Sequence, residues 1–285
     1  MKIKTILLLL LFGLTSAEIL AQEPTFTRKG AFYFYWGYNR SVYARTNLHF
    51  NGPEYDFTLY DLKGTDRPTR FGWEYFDPSR FTIPQYNFRL GYYITDRFTI
   101  SLGSDHMKYV VSANQKTRIS GVITDAISEK YGGAYLNQEI VLTEDLLKFE
   151  HSDGFNFSTI DLAYLQPLFE KGEFSVLLNM GIGGVWIITK TNVKVFGEGL
   201  DNDFHIAGYG LAGKVGPRVE FKNRLFLLGE IKGGYASLPS VLIKNSEPEI
   251  GDHNLSFLEY YVALGVNFKI KRRKNKRAPT TAIHP

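Results

Sequence analysis

The sequence predicts an all-β protein, an eight-stranded antiparallel transmembrane up-and-down β-barrel with long outer loops. Three observations carry that expectation. An apolar leader is followed by a body in which no window reaches the roughly 18 apolar residues that a spanning helix needs. Eight later segments alternate apolar and polar residues with period two, and the connections between those segments are tight and long in turn.

The leader comes first. Lys2 and Lys4 precede the apolar run Ile6 to Leu14, and small residues lead to Leu20-Ala21-Gln22, the layout of a secretory signal peptide. Residues 1–21 are read as that signal, with cleavage after Ala17 as the competing site, and residues 22–29 as a periplasmic N-terminal segment. The chain contains no cysteine, which excludes both a disulfide framework and a lipidated cysteine at the cleavage site. Because every backbone polar group in lipid must be paired internally, a membrane protein without spanning helices has to be a closed barrel.

Strands are expected at about Gly30 to Arg40, Tyr86 to Thr95, Arg97 to Val111, Phe155 to Leu168, Glu173 to Thr189, Ile206 to Phe221, Arg224 to Ser237 and Leu255 to Ile270. All are rich in β-branched and aromatic residues. The last is the clearest: Leu258, Tyr260, Val262, Leu264, Val266 and Phe268 fall on one face, and Glu259, Tyr261, Ala263, Gly265 and Asn267 on the other. A soluble barrel would turn the apolar set inward, but here that set carries hardly a charge, which suits lipid. Tyr33, Tyr35, Trp36, Tyr92, Tyr93, Trp186, Tyr235, Tyr260 and Tyr261 are expected to form interfacial girdles.

Tight turns at Thr95-Asp96-Arg97, Glu170-Lys171-Gly172 and Lys222-Asn223 alternate with long connections at Ser41 to Gln85, Ser112 to Gly154, Lys190 to His205 and Leu238 to Asn254. Short periplasmic turns and long outer loops give this pattern and place both termini in the periplasm. Residues 30–270 are therefore read as an outer-membrane barrel of a Gram-negative cell. Residues 271–285 are read as a basic periplasmic tail that could bind an envelope partner. Seven of the nine residues from Lys269 to Arg277 are basic; without this run and the leader, the body has 24 basic and 28 acidic residues, which gives no reason to expect nucleic acid. The aromatic stretch Asn51 to Arg80 is expected to cover the mouth as a lid or hairpin, and Asp125 to Lys148 to form strand extensions or a short helix.

Through Gly91-Tyr92-Tyr93, Gly181-Ile182-Gly183-Gly184, Gly208-Tyr209-Gly210 and Leu264-Gly265-Val266-Asn267-Phe268, the chain resembles the small outer-membrane barrels typified by the OmpA transmembrane domain and OmpW, especially those of the Bacteroidetes type. The resemblance implies architecture rather than activity. One departure is that Phe268 is followed by a basic tail, whereas such barrels often end on an aromatic residue.

Alternation assigns Arg89, Asp105, Asp161, Lys214, Arg218, Glu220, Glu230, Lys232 and Glu259 to the lumen. Eight strands enclose a space that side chains can fill, and an unpaired buried charge is costly, so the expectation is a filled, charge-paired lumen. A narrow channel for small or apolar molecules is the first alternative, and a lipid-modifying enzyme the second. Outer-membrane lipid A deacylases use a His-x-Ser pair, which this sequence lacks, and His151 and Ser152 are adjacent in an expected loop. Palmitoyl transferases place His, Asp and Ser near the outer rim, where this chain has Ser104-Asp105-His106, yet alternation separates Asp105 from both neighbours. A non-enzymatic envelope or surface-interaction protein is therefore favoured. No cofactor or metal site is expected, since His49, His106, His151, His205 and His253 have no paired spacing. Lys108, Lys116, Arg118, Lys190 and Lys194 are candidates for pairing with lipopolysaccharide phosphates at the outer rim.

Overall fold

Segments of period two that are apolar on one face must pair along both edges before they can cross lipid, and this chain pairs them in a closed ring. A computed structural model describes residues 27–77, 79–80, 83–201, 203–243 and 250–270. The signal read over residues 1–21 and the tail over 271–285 lie outside the described residues, as does most of the segment 22–29.

Eight strands make the ring: β1 (Phe32–Tyr43), β5 (Tyr86–Tyr93), β6 (Phe98–Val111), β9 (Leu147–Lys171), β10 (Phe174–Val195), β12 (His205–Phe221), β13 (Leu225–Leu242) and β14 (Ile250–Phe268). They follow one another in that order, and β14 returns to β1 from Phe32↔Phe268 to Tyr43↔Phe257. All pairings are antiparallel. The tight turns have local causes. Lys222 and Asn223 both lie at positive φ, 54° and 53°, the left-handed pair that a two-residue hairpin turn demands. Gly172, at φ 60°, starts the turn into β10.

The long connections are themselves partly β. Six further strands lie within them: β2 (Thr46–Gly52), β3 (Tyr55–Leu62), β4 (Gly64–Thr65), β7 (Gln115–Ile123), β8 (Gly133–Leu142) and β11 (Glu198–Asp201). The end of β14 remote from the tight turns, its outer end in the orientation expected from the sequence, pairs with β2, and the sheet continues through β3 and β7 to β8. β4 adds to β6, and β11 to β10. Residues 46–62 thus form a hairpin within this outer sheet. The ring strands β9, β10, β13 and β14 also run further outward than their alternation suggests. Bulges at Met107/Tyr109, Lys190/Asn192 and Leu238/Val241 interrupt the register near that level, and the last of them shifts the inward face of β13 by one residue.

Outward-facing Phe34, Leu90, Ile100, Leu162, Ile182, Leu211, Leu227 and Leu264 are exposed around the ring, and this apolar exterior is the lipid-facing band of a membrane-spanning barrel. The girdle expectation is half corrected. Trp186, Tyr92, Tyr235 and Tyr260 are exposed on the exterior, and Trp36 lies in the same outward register, but Tyr33, Tyr35, Tyr93 and Tyr261 are buried inside. Adjacent residues of a strand face opposite sides, so Tyr260 and Tyr261 cannot both meet lipid.

Two apolar clusters occupy the inside. The smaller one, near the tight-turn end, contains Tyr33, Tyr35, Leu165, Leu177, Phe226 and Leu228. The larger one fills the upper barrel and the space under the outer sheet, with Phe50, Phe57, Leu59, Phe149, Val193 and Leu238 among its members.

Candidate functional site

Between the two apolar clusters the wall turns a set of charged residues inward. Arg89 on β5 is fully buried at its centre. It donates through Nη1 and Nη2 to the two carboxylate oxygens of Asp105, both at 2.7 Å, and through Nε to Asp161 at 2.8 Å. Lys214 Nζ lies 2.9 Å from the same Asp161 oxygen. Lys232 pairs with Asp105 and stands 3.6 Å from Glu259. Asn87 links the two acids, donating to Asp105 at 2.7 Å and to Glu259 at 2.6 Å. Glu230 accepts from Asn179 at 2.5 Å and from the Tyr261 hydroxyl.

Arg218 and Glu220 stand apart from this group, nearer the tight turns. Their ion pair is 2.6 Å long, and Arg28 joins Glu220 from the other side at 2.8 Å. Arg218 also donates to Tyr93 and Asn267 at 2.6 and 2.8 Å and lies 3.5 Å from the centroid of the Phe226 ring, a cation–π contact. The nine lumen candidates thus comprise two ion-paired networks, one around Arg89 and one around Arg218, and Glu230, which is held by Asn179 and Tyr261. Their formal charges are four positive and five negative; Arg28 makes them five and five. Bidentate and shared pairs of this kind offset the cost of burying ions only when the partners are nearly complete.

Sequence reasoning missed Arg28, which precedes the first strand, together with the neutral linkers Asn39, Gln85, Asn87 and Asn179. An inward parity signal exists for the asparagines. Arg28 has none, because only the closed tertiary structure brings it beneath β12.

The outer basic candidates do not gather at one rim, but lie on β6, β7 and β10, no two of which are paired. Lys108 donates to Thr69 and to the Ile83 carbonyl, Lys116 is paired with Glu139 at 2.8 Å on the outer sheet, and Arg118 lies opposite Glu139 in the register. Lys190 and Lys194 follow Trp186 along β10. Ser104-Asp105-His106 is split by the wall: Asp105 enters the lumen, while His106 Nδ1 meets Asn156 at 2.9 Å and its ring stacks on Tyr86 outside. These three residues cannot form one catalytic group.

The histidine expectation is corrected in one respect. His151 is on β9 rather than in a loop, and its ring stacks 5.7 Å from that of His253 on β14. Both are fully buried beneath the outer sheet among Tyr109, Phe149 and Phe155. His151 Nδ1 meets Thr191 at 2.9 Å, while His151 Nε2, both ring nitrogens of His253 and the Tyr109 hydroxyl have no hydrogen-bond partner among the described residues. Burial pushes the His253 imidazole down to about 3 and, with His253 beside it, holds His151 well below the usual histidine range. Both rings are therefore neutral at pH 7. No group of three or more His, Cys, Asp or Glu residues capable of holding a metal ion occurs among the described residues.

No protein-family model matches the sequence, and no curated protein matches it significantly. Among solved structures, the chain is similar to outer membrane protein AlkL in DMPC bilayers, with 10% identity over 90% of this chain and 99% of that one and a TM-score of 0.43. It is also similar to the attachment invasion locus protein Ail of Yersinia pestis, with 10% identity, 84% and 99% coverage and a TM-score of 0.30. The outer membrane protease OmpT of Escherichia coli gives 6% identity, 88% and 100% coverage and a TM-score of 0.26. At such scores the architecture is established by the chain's own strand register and apolar exterior, not by the likeness.

Proposed function

We propose that this protein is a non-enzymatic outer-membrane barrel that acts as a sealed, rigid stalk for an outer β-sheet engaged in envelope or surface interactions, with both termini periplasmic. The observation that carries this reading is the stacking inside the tube. An ion-paired layer around Arg89 lies beneath the large apolar cluster that contains Phe149 and Phe57, and both layers are closed to solvent. Conduction along the axis would require breaking paired charges and separating packed aromatic rings together, each costly in a dry interior.

The outer membrane is the setting that accepts a closed barrel with a strongly apolar exterior. Lys190 and Lys194, on the β10 extension above Trp186, are the positions suited to lipopolysaccharide phosphates. Purified protein in planar bilayers tests the central reading. The expected result is an electrically silent membrane, and reproducible single-channel openings would replace the stalk by a channel.

A further inference from the structure

Between β4 and β5, the described residues around Thr69, Tyr75 and Ile83 do not lie over the mouth of the barrel. They are held against the outside of the wall. Tyr38, which faces outward on β1, donates to the Tyr75 carbonyl at 2.8 Å, and its ring meets that of Tyr75 edge-on at 4.8 Å. Arg40, next on the same face, donates to the Tyr75 hydroxyl at 2.9 Å. Lys108 on β6 reaches Thr69 and the Ile83 carbonyl from the same side. Tyr38 is the outermost aromatic in the outward column Phe34, Trp36, Tyr38, followed on that face by Arg40 and the exposed Val42. The segment is therefore fastened where the aromatic column of β1 ends.

A single 3-10 turn, Trp73–Tyr75, organises the segment. It buries Tyr75 and leaves Phe71, Trp73 and Phe76 at 78%, 84% and 65% exposure. These three rings touch one another or Tyr75, with Phe71 5.2 Å from Tyr75 and 5.8 Å from Phe76, and Trp73 6.4 Å from Phe76. A contiguous aromatic patch of this kind is unfavourable in water and needs an apolar or interfacial partner. Beside it Tyr75 lines an external groove that crosses the lipid-facing wall from β1 over β14 and β13 to β12, past Tyr38, Tyr260, Val262, Ile231 and Pro217. The patch is thus continuous with a surface already given over to lipid. From Asp66 to Arg80 the chain carries three acidic and three basic residues, so charge does not select an anionic partner, and apolar insertion is left as the attraction.

We propose that this segment is a membrane-dipping loop. Phe71, Trp73 and Phe76 enter the boundary between headgroups and acyl chains of the surrounding lipid, the depth at which aromatic side chains collect. The loop extends the aromatic girdle sideways from the wall and anchors the outer end of the barrel to the bilayer. The inference rests on the membrane-barrel reading, and its test separates the two.

The chain has three tryptophans, so Trp36→Phe with Trp186→Phe leaves Trp73 as the sole indole. This variant is refolded into phosphatidylcholine vesicles, and folding is checked by heat-dependent gel mobility. Blue-shifted Trp73 emission is expected, with most of it lost when the vesicles contain lipid brominated near the carbonyl end and little lost to aqueous iodide. Emission typical of water, quenched by iodide and indifferent to brominated lipid, would overturn the proposal while leaving the barrel intact. If the double variant does not fold, Trp73→Cys in the otherwise cysteine-free chain carries a spin label instead. Greater collision with oxygen than with an aqueous nickel complex supports immersion, and the reverse overturns it. Failure of the unmodified protein to enter vesicles as a heat-modifiable species would count against the membrane reading itself.

Discussion

In the part of β14 that crosses lipid, Glu259, Tyr261 and Ala263 turn inward while Leu258, Tyr260 and Val262 turn outward. Toward the outer end of the same strand, Leu255 and Phe257 turn inward while Asn254 and Ser256 are exposed. The parity of the strand is unbroken; the chemistry of its two faces changes places. β13 changes in the same way, with Glu230 and Lys232 inside below and Ala236 and Leu238 inside above until a bulge shifts its parity before Val241, and β6 passes from Asp105 to Met107, Tyr109 and Val111. Lipid takes the apolar face in the lower region and water excludes it in the upper one. One continuous wall therefore encloses, from the tight-turn end, a small apolar cluster with a layer of paired charges and then a larger hydrophobic core. The lower region is held by charge pairing within a closed ring, and the upper by apolar burial under a sheet that ends at β8.

Breaking each core separately tests this contrast. The largest effect is expected from Arg89→Met, which leaves Asp105 and Asp161 without their shared cation. Removing one partner of a buried ion network costs about 3 to 5 kcal/mol, which urea unfolding of the barrel in vesicles would register, along with a lower yield of the heat-modifiable form. Phe149→Ala in the upper core should cost about 3 kcal/mol of local stability. It should expose the outer sheet to protease while the barrel keeps its heat-dependent mobility. Equal loss of barrel stability in both variants would show that the two regions unfold as one unit.

Mild acid should loosen the upper region. The folded state holds His253 at about 3 and His151 well below its ordinary value, whereas an opened outer sheet would let each bind a proton near pH 6.5. The opened state then binds more protons than the closed one, so stability is full above pH 6.5 and falls as the pH drops below it. The slope is about 1.4 kcal/mol per pH unit for each histidine. Hydrogen exchange of the outer sheet between neutral pH and pH 4 should show this, and His253→Phe should reduce the slope; an unchanged slope would point to another titrating group. The smallest effect belongs to Lys116→Gln. Its partner Glu139 hydrogen-bonds it and raises its pKa, but both groups are exposed, so water and salt screen the pair. Protease resistance of the outer sheet should be unchanged.

Period-two alternation, together with the absence of a spanning helix and with tight and long connections in turn, made the ring legible, because an apolar face that carries hardly a charge suits lipid, and parity then assigns Arg89 or Glu259 to the opposite side. The turn residues Lys222-Asn223 and the glycine at 172 placed the tight connections for the same local reason. The outer sheet was not legible, because above the rim the apolar face changes sides, so Leu48, Phe57 and Val193 read as loop residues. Proximity across the closed tube was likewise a tertiary matter. Only ring closure brings Arg28 to Glu220 and divides the lumen charges into two networks, and only the folding of the outer sheet over β9 and β14 stacks His151 on His253. Local sequence sets which way a side chain faces along its own strand, whereas what it meets there is decided by strands far away in the chain.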